Sequence, residues 1–109
     1  MFSIDLNCDM GEGFPHDAEL MNYVSSVNVA CGFHAGNAQT MRETVQLAVQ
    51  KGIKIGSHPS YLDLENFGRS EKNLSGQEVF DIVLYQTSAL KGICEAFGAM
   101  LHHVKPHGA

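Results

Sequence analysis

The chain has 109 residues, of which 44% are hydrophobic and 17% are charged, and its formal net charge is -5 at pH 7. This balance predicts one globular domain rather than a disordered chain. The acidic charge, without any basic cluster, argues against nucleic acid or an anionic membrane surface as a partner, and no apolar run approaches the roughly 20 residues of a membrane span.

The first segment, residues 2–9, alternates apolar and polar side chains, which predicts a strand. Phe2, Ile4, Leu6 and Cys8 would share one face. The opposite face, with Asp5, Asn7 and Asp9, would meet only solvent on an edge strand, whereas inside a barrel it would point towards the lumen. After a glycine-containing loop, Asp17 is expected to cap a short helix that ends near Tyr23.

Residues 27–31 form the second predicted strand, and Asn37 is expected to cap a helix from Ala38 to about Lys51. Residues 53–56 form the third strand and residues 60–73 a long loop. The pair Ser75 and Glu78 is a capping box, so a helix should run from there to about residue 97 with Phe80 among its buried residues. Residues 101–105 form the fourth strand.

This alternation of strands and helices predicts an α/β fold with a parallel sheet and right-handed crossovers. Neither a Walker A motif nor a GxGxxG following a strand is present. Because a parallel strand needs a following helix to cover it, and the sequence stops just after the fourth strand, we expect a fragment of a longer protein. The cysteines are odd in number and form no CxxC pair, and the first residues do not form a secretory signal, so we expect reduced thiols in the cytoplasm.

Acids, an amide, histidines and a lysine lie on the first strand or at the ends of the predicted strands, and in a parallel barrel such residues meet at one mouth. Carboxylates and imidazoles together can bind a divalent metal and lower the pKa of its bound water, or act as general acid and base. A lysine there can stabilise an oxyanion or hold a substrate carboxylate. The set comprises Asp5, Asn7, Asp9, Glu12, His34, His58, Lys105 and His107.

Other residues have a plainer interpretation. We expect His16 and His102 to be solvated or simply packed, whereas His103 shares a face with Lys105 and is a candidate for lining the site. Arg69 is either a surface charge or an anion clamp. Cys31 lies on a buried strand without an adjacent base, so we interpret it as a core residue rather than a nucleophile.

Six motifs, in order along the whole chain, resemble the LamB/YcsF family, the A subunit of prokaryotic 5-oxoprolinase. The resemblance implies a β/α barrel of the glycoside hydrolase/deacetylase type. It also implies ATP-dependent opening of 5-oxoproline (pyroglutamate) to L-glutamate, in a complex with B and C subunits. The motifs are residues 5–12 (DLNCDMGE), 30–36 (ACGFHAG), 58–61 (HPSY), 67–69 (FGR), 85–86 (YQ) and 103–109 (HVKPHGA).

The sequence departs from the family pattern at a few positions. Asn37 stands where aspartate is usual, Leu62 where proline is usual, Ser70 where a second arginine is usual, and Thr87 and Ser88 replace an apolar residue and glycine. A barrel of this kind needs about 200–250 residues. Residues 1–109 are therefore expected to be one domain, the N-terminal half of such a barrel with about four β-α units, whose exposed edge invites self-association.

From these observations we predict one set of catalytic residues and one set of binding residues. The expected co-substrate is ATP, and whether a divalent metal also binds is left open. The two other interpretations that remain are a metal-dependent deacetylase-like hydrolase acting alone and a truncated, non-catalytic fragment. Asp9, His34, His58 and His107 are the candidate metal ligands, and Asp5, Asn7 and Arg69 are predicted to bind substrate or nucleotide. The predicted catalytic residues are Asp9, Glu12, His34, His58, Lys105 and His107.

Overall fold

A computed structural model describes residues 1–108 as one four-stranded parallel sheet with helices between the strands. The strands are β1 (Asn7–Met10), β2 (Ser26–Ala30), β3 (Lys54–His58) and β4 (Leu101–Val104), and they lie side by side in chain order. The helices are α1 (Asp17–Leu20), α2 (Ala38–Gln50) and α3 (Gly76–Ala96). This confirms the predicted parallel α/β architecture, and a sheet in this order is consistent with part of a barrel.

Both long helices begin at the predicted caps. The side chain of Asn37 accepts a hydrogen bond from the backbone N–H of Thr40, and the Thr40 hydroxyl accepts one from the N–H of Asn37. Ser75 and Glu78 make the same reciprocal pair at the start of α3. Each box satisfies two backbone donors that the first helical turn leaves free, so these local sequences fix where α2 and α3 start. Asn37, where the resemblance led us to expect aspartate, therefore makes the cap.

The sheet has one apolar face and one polar face. Helices α2 and α3 cover the apolar face, and their buried side chains pack against it to form the core. Parallel pairing aligns Asp9, Asn28, Gly56 and His103 across the four strands on the opposite face. Because side chains alternate along a strand, this register sends polar groups to the side that the helices leave open. The core comprises Met10, Met21, Val27, Val29, Cys31, Met41, Val45, Ala48, Ile53, Ile55, Leu90 and Cys94.

Three local predictions were wrong. The first strand starts at Asn7 rather than residue 2, and Phe2 and Ile4 are exposed, because β2 starts at Ser26 and offers the earlier residues no pairing partner. Helix α1 stops at Leu20, and Asp17 does not cap it, since its carboxylate accepts a hydrogen bond from the N–H of Gly11 instead. Phe80 faces away from the core and is 61% exposed.

Strands β1 and β4 each pair with a single neighbour within residues 1–108. Beside β4, the side chains of Phe80, Leu84 and Val104 form an exposed apolar surface. In the described part of the chain, every helix is too short or too polar to cross a bilayer.

Candidate active site

Three imidazole rings meet beyond the carboxyl ends of the strands. His58 is the last residue of β3, His34 follows β2 and His107 follows β4. The rings of His34 and His107 stack with centroids 4.1 Å apart, and the His58 ring stands edge-on to both, at 5.1 and 5.2 Å. The sequence prediction that these histidines share a site therefore agrees with the geometry.

His34 is buried and contacts the carboxylate of Glu12. Its Nε2 lies 2.6 Å from Oε2 of Glu12, whose side chain is also nearly buried. Burial, and then the neighbouring His107, lower the pKa of His34 to about 4. The contact at neutral pH is therefore a hydrogen bond donated by a neutral ring. Burial, followed by the charge of Asp9, raises the pKa of Glu12, which makes its carboxylate a stronger proton acceptor than an exposed one.

Backbone carbonyl groups orient the other two rings. Nδ1 of His58 lies 2.6 Å from the carbonyl oxygen of Lys105, and Nε2 of His107 lies 2.7 Å from that of Phe67. The remaining nitrogens, Nε2 of His58 and Nδ1 of His107, are 3.3 Å apart. Burial lowers the pKa of His58 even though the Lys105 carbonyl opposes that shift.

Asp9 and Lys105 form an ion pair at the more exposed rim of the site. The Lys105 ammonium lies 2.8 and 3.0 Å from the two carboxylate oxygens of Asp9, and the Asn28 amide donates to Asp9 at 2.8 Å. Partial burial opposes ionisation of Asp9, but these hydrogen bonds outweigh it and hold its pKa below the usual range. Asp9 therefore stays ionised, and its Oδ2 lies 3.4 Å from Nε2 of His58.

The long loop after β3 closes one side of the site. Phe67 has a positive φ of 55°, an uncommon conformation for a bulky residue, and its ring packs edge-on against His34 and His107. Gly68 follows with a φ of 73°. A Cβ atom at Gly68 would lie 2.7 Å from the Cβ of His34, so only glycine lets the loop approach this closely.

Gln86 of α3 holds the start of that loop. It is fully buried, accepts a hydrogen bond from the N–H of Ser60 at 2.9 Å and donates one to the Ser60 carbonyl at 2.7 Å. A buried amide that bonds both groups of one residue fixes the backbone directly after His58. Gln86 belongs to one of the motifs but was not predicted as a site residue, although a glutamine among apolar helix residues is a sign of a buried amide with a structural role.

Asn28 is a second residue that the sequence analysis missed. It is fully buried on β2, it bonds to Asn7 and Asp9, and its Oδ1 lies 2.6 Å from Nε2 of His103. It thus links Asp9 to the layer of side chains beneath the mouth. A lone amide within the apolar run of residues 27–30 was the sign of this role.

Three residues of the predicted binding group lie outside the histidine cluster. Asp5 bonds to Ser25 and Ser26 near the amino ends of the strands, and Asn7 bonds to Ser26 and Asn28. Arg69 lies beside the cluster, with its guanidinium carbon 5.4 Å from the centre of the Phe67 ring.

Four side chains could hold a metal ion. Glu12, His34, His58 and His107 each offer one donor atom, and these atoms all lie within 4.8 Å of one another. Glu12 thus joins three of the predicted ligands, while Asp9 lies at the border of the group. Three imidazoles and a carboxylate offer the donor types that zinc prefers. Cys31 lies apart in the core, where burial raises its pKa to about 11, so it is a poor nucleophile.

Comparisons with known proteins all point to one family. The profile described as "LamB/YcsF family" matches residues 4–109. Two relatives named as the A subunit of 5-oxoprolinase, from Brevibacillus brevis and Bacillus cereus, are 51% and 53% identical over 114 aligned positions. Both alignments cover all of this chain and 45% of the relative, so the chain spans about half the length of the curated relatives it matches.

A solved structure shares the fold. The crystal structure of a lactam utilization protein from Thermus thermophilus superposes with a TM-score of 0.95 at 48% sequence identity. The match covers 99% of this chain and 46% of that one. The four strands and three helices described above therefore match one part of a longer fold in that protein.

Proposed function

The chain belongs to the LamB/YcsF family, and we propose that it contributes the lactam-opening site of an ATP-dependent 5-oxoprolinase. In this proposal, 5-oxoproline is converted to L-glutamate with hydrolysis of ATP, and B and C subunits complete the enzyme. The observation that carries the proposal is the meeting of three histidines, Glu12, and the Asp9–Lys105 pair at one mouth of the sheet. The names of the relatives give the substrate class.

The chemistry requires activation of both the amide and water. A lactam is stabilised by resonance, and transfer of the γ-phosphate of the co-substrate ATP to the lactam oxygen would make the ring carbon electrophilic. Water then adds to that carbon, a base takes its proton, and the ring C–N bond breaks with a proton delivered to nitrogen, which leaves an acyl phosphate. A second water hydrolyses this acyl phosphate to the side-chain carboxylate and inorganic phosphate. The proposed reaction therefore needs a base, an acid and a cation close together.

The site residues have chemistry suited to these roles. We assign the base to Glu12 or Asp9, because both are carboxylates beside the imidazoles. His58 and His107 serve as acid and base groups or as ligands, and His34 orients Glu12 through their short hydrogen bond. Lys105 holds the substrate carboxylate or a phosphate oxygen, which requires it to leave Asp9 in part.

The nucleotide site is expected to lie mainly outside residues 1–108. This part of the chain contains no glycine-rich phosphate loop of the Walker type, and the ammonium of Lys105 is already paired with Asp9. We therefore propose that the partner subunits, or further chain of the kind present in the longer relatives, supply most contacts to ATP. We also propose a cytoplasmic location, where ATP is available and the three free cysteines stay reduced.

A second candidate function is favoured by the metal-binding group. A divalent metal at Glu12 and the histidines would polarise a carbonyl and lower the pKa of bound water. A hydrolase of this kind would act alone on an amide or acetyl group and would need no ATP. The two functions therefore differ in their need for nucleotide and partners.

Reconstitution tests the proposal. The subunit that carries this sequence is purified with its B and C subunits, and glutamate release from 5-oxoproline is measured with and without ATP. We expect glutamate only when ATP and all subunits are present. Glutamate formed without ATP or partners would favour the second candidate, and the absence of glutamate under every condition would refute the proposed 5-oxoprolinase function.

A further inference from the structure

The ring protons of His58 and His107 are positioned by backbone carbonyl groups. Nδ1 of His58 lies 2.6 Å from the carbonyl oxygen of Lys105, and Nε2 of His107 lies 2.7 Å from that of Phe67. A carbonyl oxygen only accepts hydrogen bonds, so each of these nitrogens carries the proton. In the neutral rings, Nε2 of His58 and Nδ1 of His107 are therefore bare lone pairs.

These two lone pairs face each other across 3.3 Å. Two carboxylate oxygens also approach Nε2 of His58: Oδ2 of Asp9 at 3.4 Å and Oε2 of Glu12 at 3.7 Å. Four electron-rich atoms thus surround one small volume. Lys105 already pairs with Asp9 at the rim, and a positive species among the four atoms, a metal ion or a shared proton, would offset the remaining repulsion.

His34 occupies a different position relative to this volume. Its Nε2 contacts Glu12 at 2.6 Å, and its Nδ1 is buried without a hydrogen-bond partner. If His34 bound a metal through Nε2, its proton would move to Nδ1, where no acceptor exists. Donation from Nε2 to Glu12 leaves only a lone pair at Nδ1, which is the less unfavourable state. The ring of His34 therefore orients the carboxylate.

From this arrangement we propose that Glu12, His58 and His107 bind one divalent transition-metal ion of the Zn²⁺ class, and that His34 is a positioning residue for Glu12. The inference rests on the proposed function, because it specifies how the same site would activate water. Two imidazoles and one carboxylate, with a fourth position open, form the ligand set of hydrolytic zinc sites.

The distances fit this assignment. Ligand atoms about 2.0–2.2 Å from a tetrahedral ion lie about 3.3–3.6 Å from each other. Nε2 of His58 lies 3.3 Å from Nδ1 of His107 and 3.7 Å from Oε2 of Glu12, so two edges of such a tetrahedron are already nearly formed. The backbone carbonyls that accept from His58 and His107 are the partners that orient metal-binding imidazoles in known sites. Asp9 borders the open position and can accept a proton from water there.

Cobalt binding tests the ligand set without reference to turnover. Co²⁺ is added to the chelator-treated subunit, and the visible absorption of tetrahedral Co²⁺ is recorded with calorimetry for stoichiometry. We expect one Co²⁺ per chain, displaced by Zn²⁺, and loss of binding in His58→Gln and His107→Gln. The matched control is His16→Gln, an exposed histidine of α1's cap, which should bind as the unmodified chain does.

The positioning role of His34 has its own measurement. His34→Leu should keep a stoichiometry of one ion but weaken affinity by about 10- to 100-fold, the usual effect of removing an outer-shell partner. Complete loss of binding would instead make His34 a ligand and overturn this part of the assignment. His34→Gln, which can still donate to Glu12, should restore much of the affinity.

The unmodified chain decides the proposal even where a variant does not fold. If the folded chain binds neither Co²⁺ nor Zn²⁺, the metal assignment is refuted, and ¹⁵N spectra should then show a proton shared by His58 and His107. Glutamate formation without metal would then leave the proposed function intact. Metal binding without glutamate formation by the reconstituted complex would contradict the proposed function alone.

Discussion

Replacement of Gly68 by alanine tests how closely the long loop packs on the histidine cluster. Gly68 has a φ of 73°, and a Cβ atom there would lie 2.2 Å from Oγ of Ser60, 2.7 Å from Cβ of His34 and 3.0 Å from Cδ2 of His107. The left-handed backbone costs alanine about 1–2 kcal/mol. Overpacking against the two histidines adds about 1–3 kcal/mol. Gly68→Ala should therefore lower the free energy of unfolding by about 2–5 kcal/mol.

Gly98→Ala is the matched control for the backbone effect. Gly98 has a φ of 75°, but no atom lies within 4 Å of its would-be Cβ. Gly98→Ala should therefore lower the free energy of unfolding by only about 1–2 kcal/mol, the cost of the left-handed conformation alone. Urea unfolding of both variants, followed by circular dichroism, gives the difference directly. Equal destabilisation by the two substitutions would refute the packing of this loop against His34 and His107.

Three further predictions follow from burial and sheet edges. Because burial lowers the pKa of His34 from 6.5 to about 4, the unfolded chain binds more protons in this range. Stability should therefore fall from pH 6.5 towards pH 4, by up to about 3 kcal/mol. Urea titrations at several pH values should show a flatter dependence in His34→Gln, and an unchanged slope would contradict this. Gly56→Ala would place Cβ 2.2 Å from Nε2 of His103 and should lower the free energy of unfolding by about 1–3 kcal/mol. The control Gly92→Ala, in open space on α3, should raise it by up to about 1 kcal/mol. Equal effects of the two substitutions in urea unfolding would be inconsistent with the packing of His103 on Gly56. The 109-residue chain should self-associate through its two sheet edges, so size-exclusion chromatography that shows a monomer at every concentration would count against exposed edges as association sites.

Local signals predicted most of the fold correctly. Capping boxes at Asn37 and Ser75 placed the starts of both long helices, because a cap satisfies backbone donors within a few residues of itself. Alternation failed for residues 2–6, since a strand exists only where a partner strand lies beside it. The prediction that Phe80 is buried was wrong for a related reason. The spacing of apolar residues shows that a helix has an apolar stripe, but it does not show which part of that stripe contacts the sheet.

The positions of residues at predicted strand ends indicated the centre of the candidate site better than its surroundings. Topology alone places His34, His58 and His107 at one edge of a parallel sheet, and the rings do meet there. The contacts that orient them come from distant residues, such as the carbonyl of Phe67 and the amide of Gln86. Those depend on how a long loop folds back, which no spacing in the sequence specifies. The catalytic and binding roles of these residues stay predictions.

The central claim is that the histidine cluster, rather than another part of the complex, opens the lactam. The most direct measurement is ATP-dependent glutamate release by the reconstituted enzyme carrying His107→Gln, compared with enzyme carrying His16→Gln. Both histidines lie in loops near strand ends, but only His107 contacts the site. We predict that His107→Gln reduces release to background while His16→Gln retains full activity. Full activity in a folded, assembled His107→Gln enzyme would contradict the account.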